Sequence, residues 1–201
     1  VAVTGVQTCA LPISYHGATT GALTVTGEPR RWLTEPAAMP GMVRMLDPYC
    51  YRCPMGHQGG CGVCSTMSHV EELLMYENPE TVAAIIVEPI TGTNGIIVPP
   101  DGYLRGLRDI CDRYGIVLIF DEVMSGFGRT GKWFACDHWD VVPDILCVAK
   151  GLNSGYVPLG GMVVRQHLAD WMKKNSFPGG LTYSGHPLAC ASGVAAIRAC
   201  L

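Results

Sequence analysis

The sequence predicts an α/β fold, a three-layer arrangement in which helices flank a mainly parallel sheet. Three observations carry this expectation. Short, near-continuous apolar runs recur in the second half of the chain, helix-period segments lie between them, and the main runs end on ionisable residues. Strands covered on both faces read as unbroken apolar runs, whereas half-exposed strands alternate. Strand and helix signals that alternate along a chain indicate parallel pairing with helices packed on the sheet.

Val82–Val87 (VAAIIV) reads as the first such strand and stops at Glu88-Pro89. Pro100–Tyr114 places Leu104, Leu107, Ile110, Cys111 and Tyr114 at helical spacing, with Arg105, Arg108, Asp109, Asp112 and Arg113 mostly opposite. Asp109 and Arg113 form an i,i+4 pair, and Gly115 supplies the stop. Ile116–Phe120 is the second strand. Ile145–Ala149 is the third, bounded by Pro143-Asp144 before it and Lys150-Gly151 after it. Leu159–Val164 reads as a fourth strand and His186–Leu201 as a helix of small residues. Residues 27–79 are rich in Pro, Gly and Cys with little periodicity, and read as a long excursion within one domain.

The bulk numbers narrow the class. With 201 residues, 48% hydrophobic and 15% charged, the chain can bury a sizeable core. A net charge of −3 offers no electrostatic case for nucleic acid or an anionic membrane surface. No window holds the run of ~18 apolar residues that a membrane helix needs. Ten cysteines in a long, core-rich chain without a clear processing site suggest a reduced, cytoplasmic protein rather than a secreted disulfide scaffold. Val3–Ile13 (VTGVQTCALPI) resembles the translation of a common sequencing-library adapter. Residues 1–14 are therefore expected to be a non-native leader, and residues 1–13, Cys9 included, are set aside from the expected fold.

Ligands of open parallel sheets sit beyond the carboxyl ends of the strands. That rule selects Glu88, Asp121-Glu122 and Lys150, each directly after a strand. A strand-end lysine is often only a residue that reaches water, but three ionisable strand ends on one edge favour chemistry. A strand-end carboxylate together with a strand-end lysine fits pyridoxal phosphate. That cofactor needs a covalent lysine and an acid partner for its pyridine nitrogen.

Other motifs are weaker. GFGRTG (126–131) matches GxGxxG literally, yet Asp121–Ser125 separate it from the strand and a poor helix start follows, so its glycines are expected to shape a turn. Cys50, Cys53, Cys61 and Cys64 form a CxxC pair of motifs that could hold structural zinc, with ordinary reduced cysteines as the alternative. No catalytic metal site is expected. Asp137 and Asp144 read as turn residues, His138 and His167 as surface or cap positions, and Trp133, Phe134 and Trp139 as packing.

The stretch IIVEPITGTNGIIVPPDGYLRGLRDICDRYGIVLIFDEVMSGFGRTGKWFACDHWDVVPDILCVAKGLNSGYVPLGG resembles the class III aminotransferases, of the fold type I pyridoxal-phosphate enzymes. DEVxxGFGRTG and AKGL are the most specific parts, and the resemblance runs from about Tyr15 to the C-terminus. It implies that Lys150 holds the cofactor covalently and that Asp121 partners the pyridine nitrogen. It implies further that Val123 packs on one face of the ring, with Tyr15 stacked on the other and His16 beside it. Thr182 of TYSGHPLAC is expected to reach the cofactor phosphate of a neighbouring subunit, in a homodimer with shared active sites. Glu88 is expected to stand behind these residues. Members of the family are longer, so residues 15–201, with a Cys-rich loop at 47–65, are expected to be part of the large domain. The N-terminal segment and the C-terminal small domain would be absent, and such a fragment is expected to be inactive alone.

The resemblance also narrows the substrate. Many relatives acting on ornithine or 4-aminobutyrate carry EPxxGE, where this chain has EPITGTNG with Thr93 in place of the acid. That favours an ω-amino donor of the β-alanine or taurine kind and pyruvate or a similar keto acid as acceptor. An aminomutase or racemase on the same cofactor is the alternative within the class. A non-enzymatic metal-binding module built on the four cysteines is the alternative outside it.

Overall fold

A computed structural model of the chain describes residues 6–33, 39–53, 55, 62–177 and 179–201, with 33 and 62–66 described in backbone alone. A six-stranded sheet runs through it in the order β2-β1-β3-β4-β5-β6. The strands are β1 (Gln7–Ala10), β2 (Met42–Arg44), β3 (Val82–Val87), β4 (Val117–Asp121), β5 (Ile145–Val148) and β6 (Gly161–Val164). All neighbouring pairs from β2 to β5 are parallel, and β6 closes the edge antiparallel to β5. The α/β expectation is met, as is the mainly parallel sheet.

The helices are α1 (Thr20–Val25), α2 (Gly62–Glu77), α3 (Tyr103–Tyr114), α4 (Gln166–Lys174) and α5 (Pro187–Cys200). α3 forms where its apolar stripe predicts it. Leu104, Leu107, Ile110 and Cys111 face inward, and the chain leaves the helix at Gly115, where the Ile116 amide bonds back to the Cys111 carbonyl. Val70 and Leu74 of α2 join that stripe against Ile85, Leu118 and Phe120 of the sheet. Each large apolar side chain so buried stabilises the fold by about 1.5–3 kcal/mol.

Several elements depart from the sequence expectation. Residues 1–13 are set aside there, yet Gln7–Ala10 is an inner strand paired on both sides, and Cys9 is fully buried in the core. Its inner position comes from tertiary pairing, since QTCA carries little strand signal of its own. The long excursion expected at 27–79 contains β2 and the 16-residue helix α2. α2 has a legible stripe in Met67, Val70 and Leu74, masked by the Gly, Pro and Cys around it.

Asp144 is more than a turn residue. Its buried carboxylate accepts from Arg108 Nη1 at 2.7 Å and from the Leu118 amide at 2.8 Å. Arg165 and His167 approach its other oxygen at 3.7 Å. One side chain therefore ties α3 to β4 and to the start of α4. This fixes where β4 and β5 begin, at the edge of the sheet opposite the site.

Candidate active site

In register, Val87 pairs with Phe120, and Asp121 pairs with Cys147. The carboxyl ends of β3, β4 and β5 are therefore nearly level, which brings Glu88, Asp121 and Lys150 to one edge. The segment after β1 delivers Tyr15 and His16 to the same place. Tyr15, His16, Glu88, Thr93, Asp121 and Val123 surround a small hollow of about 80 Å³ that Lys150 also lines. Lys150 borders a second hollow of about 400 Å³ as well, shared with Arg129 and Ser154.

The floor of the site is a hydrogen-bonded pair. His16 Nδ1 lies 2.8 Å from Asp121 Oδ2, with the side chains 2% and 8% exposed. Asp121 Oδ1 accepts the Val123 amide at 3.0 Å. His16 Nε2 is buried without a hydrogen-bond partner among the described residues. One imidazole nitrogen thus orients a buried carboxylate that still has acceptor capacity toward the hollow.

Glu88 works from behind. Its two oxygens accept the Tyr15 amide and the Gly92 amide, each at 2.9 Å. Burial raises the Glu88 carboxyl above its ordinary range, and the two amides, with nearby His16, pull it partly back. The result is a bracket that sets the backbone of Tyr15 across a sequence gap no local pattern reveals. Arg30, which sequence reasoning missed, lies over the Tyr15 ring at 4.6 Å and pairs with the buried Glu28.

Lys150 adopts φ 36°, in the left-handed region that a non-glycine residue occupies only when its surroundings hold it there. Lys150 is solvent-exposed and shares the lining of the small hollow with Asp121.

Two sequence-selected residues sit elsewhere. Glu122 follows Asp121 but turns inward, fully buried, and accepts the Ala135 and Cys136 amides. Thr182 lies in a separate hollow of about 760 Å³ between residues 157–160 and 181–186, and does not join the Lys150 pocket. Among the Cys-rich set, Cys50 and Cys53 flank a short 3-10 turn. Cys61 and the Cys64 side chain lie outside the described residues, and no group of three potential metal ligands meets among those described. Gly126–Gly131 forms turns, as expected, and only a short 3-10 helix, Ala135–His138, follows.

A primary amine, a tethered carboxylate, an aromatic ring and a branched aliphatic side chain around one hollow suit a flat ring with a basic nitrogen. The chemistry of the donor set fits pyridoxal phosphate on that side. A family model described as class III aminotransferase matches residues 6–201. The chain belongs to the class III aminotransferases.

Relatives within this family include the adenosylmethionine-8-amino-7-oxononanoate aminotransferase of Nitratidesulfovibrio vulgaris, 40% identical over 92% of this chain and 35% of its own length. The putrescine–pyruvate aminotransferase of Pseudomonas aeruginosa is 40% identical over 92% of the chain and 41% of its own length. A solved structure of taurine:2-oxoglutarate aminotransferase from Bifidobacterium kashiwanohense, in complex with PLP and glutamate, superposes with a TM-score of 0.90 at 45% identity. It is covered to 45% of its length, against 98% of this class III chain. The chain therefore spans less than half the length of these aminotransferases.

Proposed function

We propose that the protein carrying this segment is a pyridoxal-phosphate-dependent aminotransferase that moves an amino group from an ω-amino acid or amine to pyruvate or a similar keto acid. The observation that carries the reading is the Lys150–Asp121 pair across one pocket, with His16 bonded to Asp121. When bound, the cofactor supplies an electron-accepting ring that stabilises a carbanion at the substrate's amine-bearing carbon.

The chain's residues divide the remaining work. Lys150 Nζ would hold the cofactor covalently and would serve as the group that carries a proton during the transfer. Asp121 keeps the ring nitrogen protonated, and His16 holds the Asp121 carboxylate in the orientation this requires. Val123 and Tyr15 cover the two ring faces, while Glu88 fixes the Tyr15 backbone. Thr182 serves the cofactor phosphate of a neighbouring subunit in a homodimer. Its exposed apolar surroundings, Tyr156, Leu181, Tyr183 and Leu188, are consistent with a surface that a second copy covers.

Residues 15–201 are then part of the cofactor-binding large domain, and the strand Gln7–Ala10 belongs to the same sheet. The buried thiols at Cys9, Cys111 and Cys136, all held above their ordinary range first by burial, suit a reduced cytoplasmic setting. No described helix is long and apolar enough to cross a membrane. The taurine-named structure and the putrescine-named relative support a donor whose amine sits at a chain end. Thr93 at the pocket wall leaves no acid there to pair with an arginine.

The test uses the full-length protein with Lys150→Ala as control. Visible absorption is recorded with pyridoxal phosphate, then with β-alanine, taurine and simple amines in turn, then with pyruvate or 2-oxoglutarate. The proposal expects a Lys150-dependent band that one donor removes and a keto acid restores. A band that no donor and acceptor cycle would move the reaction to an aminomutase or racemase.

A further inference from the structure

The GFGRTG stretch matches a nucleotide-loop pattern, yet it forms no strand-to-helix turn and the proposed chemistry does not use it. We infer that this loop is a clamp that positions Lys150, with Phe127 as its contact and Glu122 as its anchor. The inference rests on the reading of Lys150 as the covalent residue.

The anchor is unusually complete. Glu122 is fully buried, and its carboxylate accepts the Cys136 amide at 2.8 Å, the Ala135 amide at 3.0 Å and the Ser125 hydroxyl. Its own carbonyl accepts the Gly126 amide at 2.9 Å. A buried carboxylate is costly unless it is fully bonded. Here it is, and both ends of the 126–134 loop are tied to the residue that follows Asp121. A Cβ on Gly126 would stand 2.8 Å from the Glu122 carbonyl oxygen, so the loop leaves its anchor too closely for any other residue.

The contact is equally close. Phe127 donates its amide to the Trp133 carbonyl at 2.7 Å, and its ring packs edge-on against Phe134 at 5.5 Å and Trp133 at 6.2 Å. Its backbone is held at φ 59°, a rare conformation for an aromatic residue. A Cβ on Gly151 would lie 2.8 Å from Phe127 Cβ and 3.3 Å from the Gly126 carbonyl oxygen. The residue after Lys150 is thus pressed against the loop with no space for a side chain. Lys150 itself sits at φ 36°. Two strained residues lie on either side of one glycine-sized contact, and strain of that kind persists only where the surroundings over-determine it. Phe127 blocks the relaxation that would let the Lys150-Gly151 backbone shift away from the hollow it shares with Asp121.

Phe127→Ala keeps Cβ but removes the ring that holds it in place against Phe134 and Trp133, Phe127→Tyr keeps that ring, and Gly151→Ala overfills the contact. In the cofactor-free full-length protein, acetylation of Lys150 is compared by peptide mass spectrometry with that of exposed Lys174. In the loaded protein, kcat, KM for the donor and the pH midpoint of the Lys150-dependent band are measured. Phe127→Ala and Gly151→Ala are expected to change the acetylation ratio by about threefold or more. They should lower kcat by about ten- to a hundredfold with KM nearly constant, since small misplacements of a reacting group cost rate before binding. Phe127→Tyr should match wild type, and Glu122→Gln should follow Phe127→Ala. An unchanged ratio and kcat in Phe127→Ala, even with a lowered Tm, overturns the inference. If no Lys150-dependent band forms in wild type while the ratio still responds to Phe127→Ala, the clamp stands and the cofactor reading fails.

Discussion

Asp121 and His16 are 105 positions apart and meet at 2.8 Å, and their pairing decides what the pocket can do. With His16 gone, a buried carboxylate retains only the Val123 amide on its other oxygen, and its orientation toward a ring nitrogen is no longer set. His16→Phe is therefore expected to lower kcat by roughly tenfold to a hundredfold and to weaken cofactor retention, as loss of an orienting partner does. Asp121→Asn should cost more, on the order of 10²–10³ in kcat, because the group facing the developing charge is itself neutralised. Steady-state kinetics at saturating cofactor checks both. Glu88→Gln leaves one acceptor for two amides, so either Tyr15 or Gly92 loses its partner. About 1–3 kcal/mol of stability should go with it in urea denaturation. The strand-end rule finds Glu88, Asp121 and Lys150 in the sequence because β-strand chemistry is local. The bonds from Glu88 to Tyr15 and from His16 to Asp121 are not legible there, because each joins segments that only the sheet brings together.

Between elements, the same limit applies with different consequences. β3, β4, β5 and α3 are legible because their signals are intrinsic, either continuous apolar runs or a clear amphipathic stripe. β1 and β2, of four and three residues, exist only through pairing, and their propensity is overridden by context. Asp144 shows how a residue that reads as a turn can be a structural tie. Asp144→Ala leaves the buried Arg108 with the exposed Asp112 as partner and strips the Leu118 amide. A loss of about 3–5 kcal/mol is expected, as for other broken buried pairs. The double variant Arg108→Met, Asp144→Leu should recover much of it, apart from the Leu118 amide, since removing both charges leaves none stranded. Equal destabilisation of single and double variants would show that Arg108 contributes nothing through this pair.

Across the whole molecule, a titration that should show in stability belongs to Asp47. Burial raises its carboxyl to about 7, and hydrogen bonds from the backbone amides of Ile13 and Asp47 itself only partly offset this. The unfolded chain releases that proton near pH ~3.9, so between the two values the folded form holds a proton that the unfolded form has lost. Stability is then fullest in acid, falls by up to ~1.4 kcal/mol per pH unit as pH rises toward 7, and levels above it. Asp47→Asn should remove its share of that slope, leaving the smaller part due to Glu88. Parallel melting curves for wild type and variant from about pH 4.5 to 7.5 would contradict the assignment. At this scale the α/β class was readable from alternation alone, whereas the place of residues 7–10 inside the sheet was not.

The central claim is that Lys150 is the residue that holds the cofactor. The most direct measurement is borohydride reduction of the full-length protein incubated with pyridoxal phosphate, followed by peptide mapping in a mass spectrometer. The account predicts a single stoichiometric adduct on the peptide containing Lys150, absent in Lys150→Ala and diminished in Asp121→Asn. An adduct spread over several lysines, or none on Lys150, would contradict it.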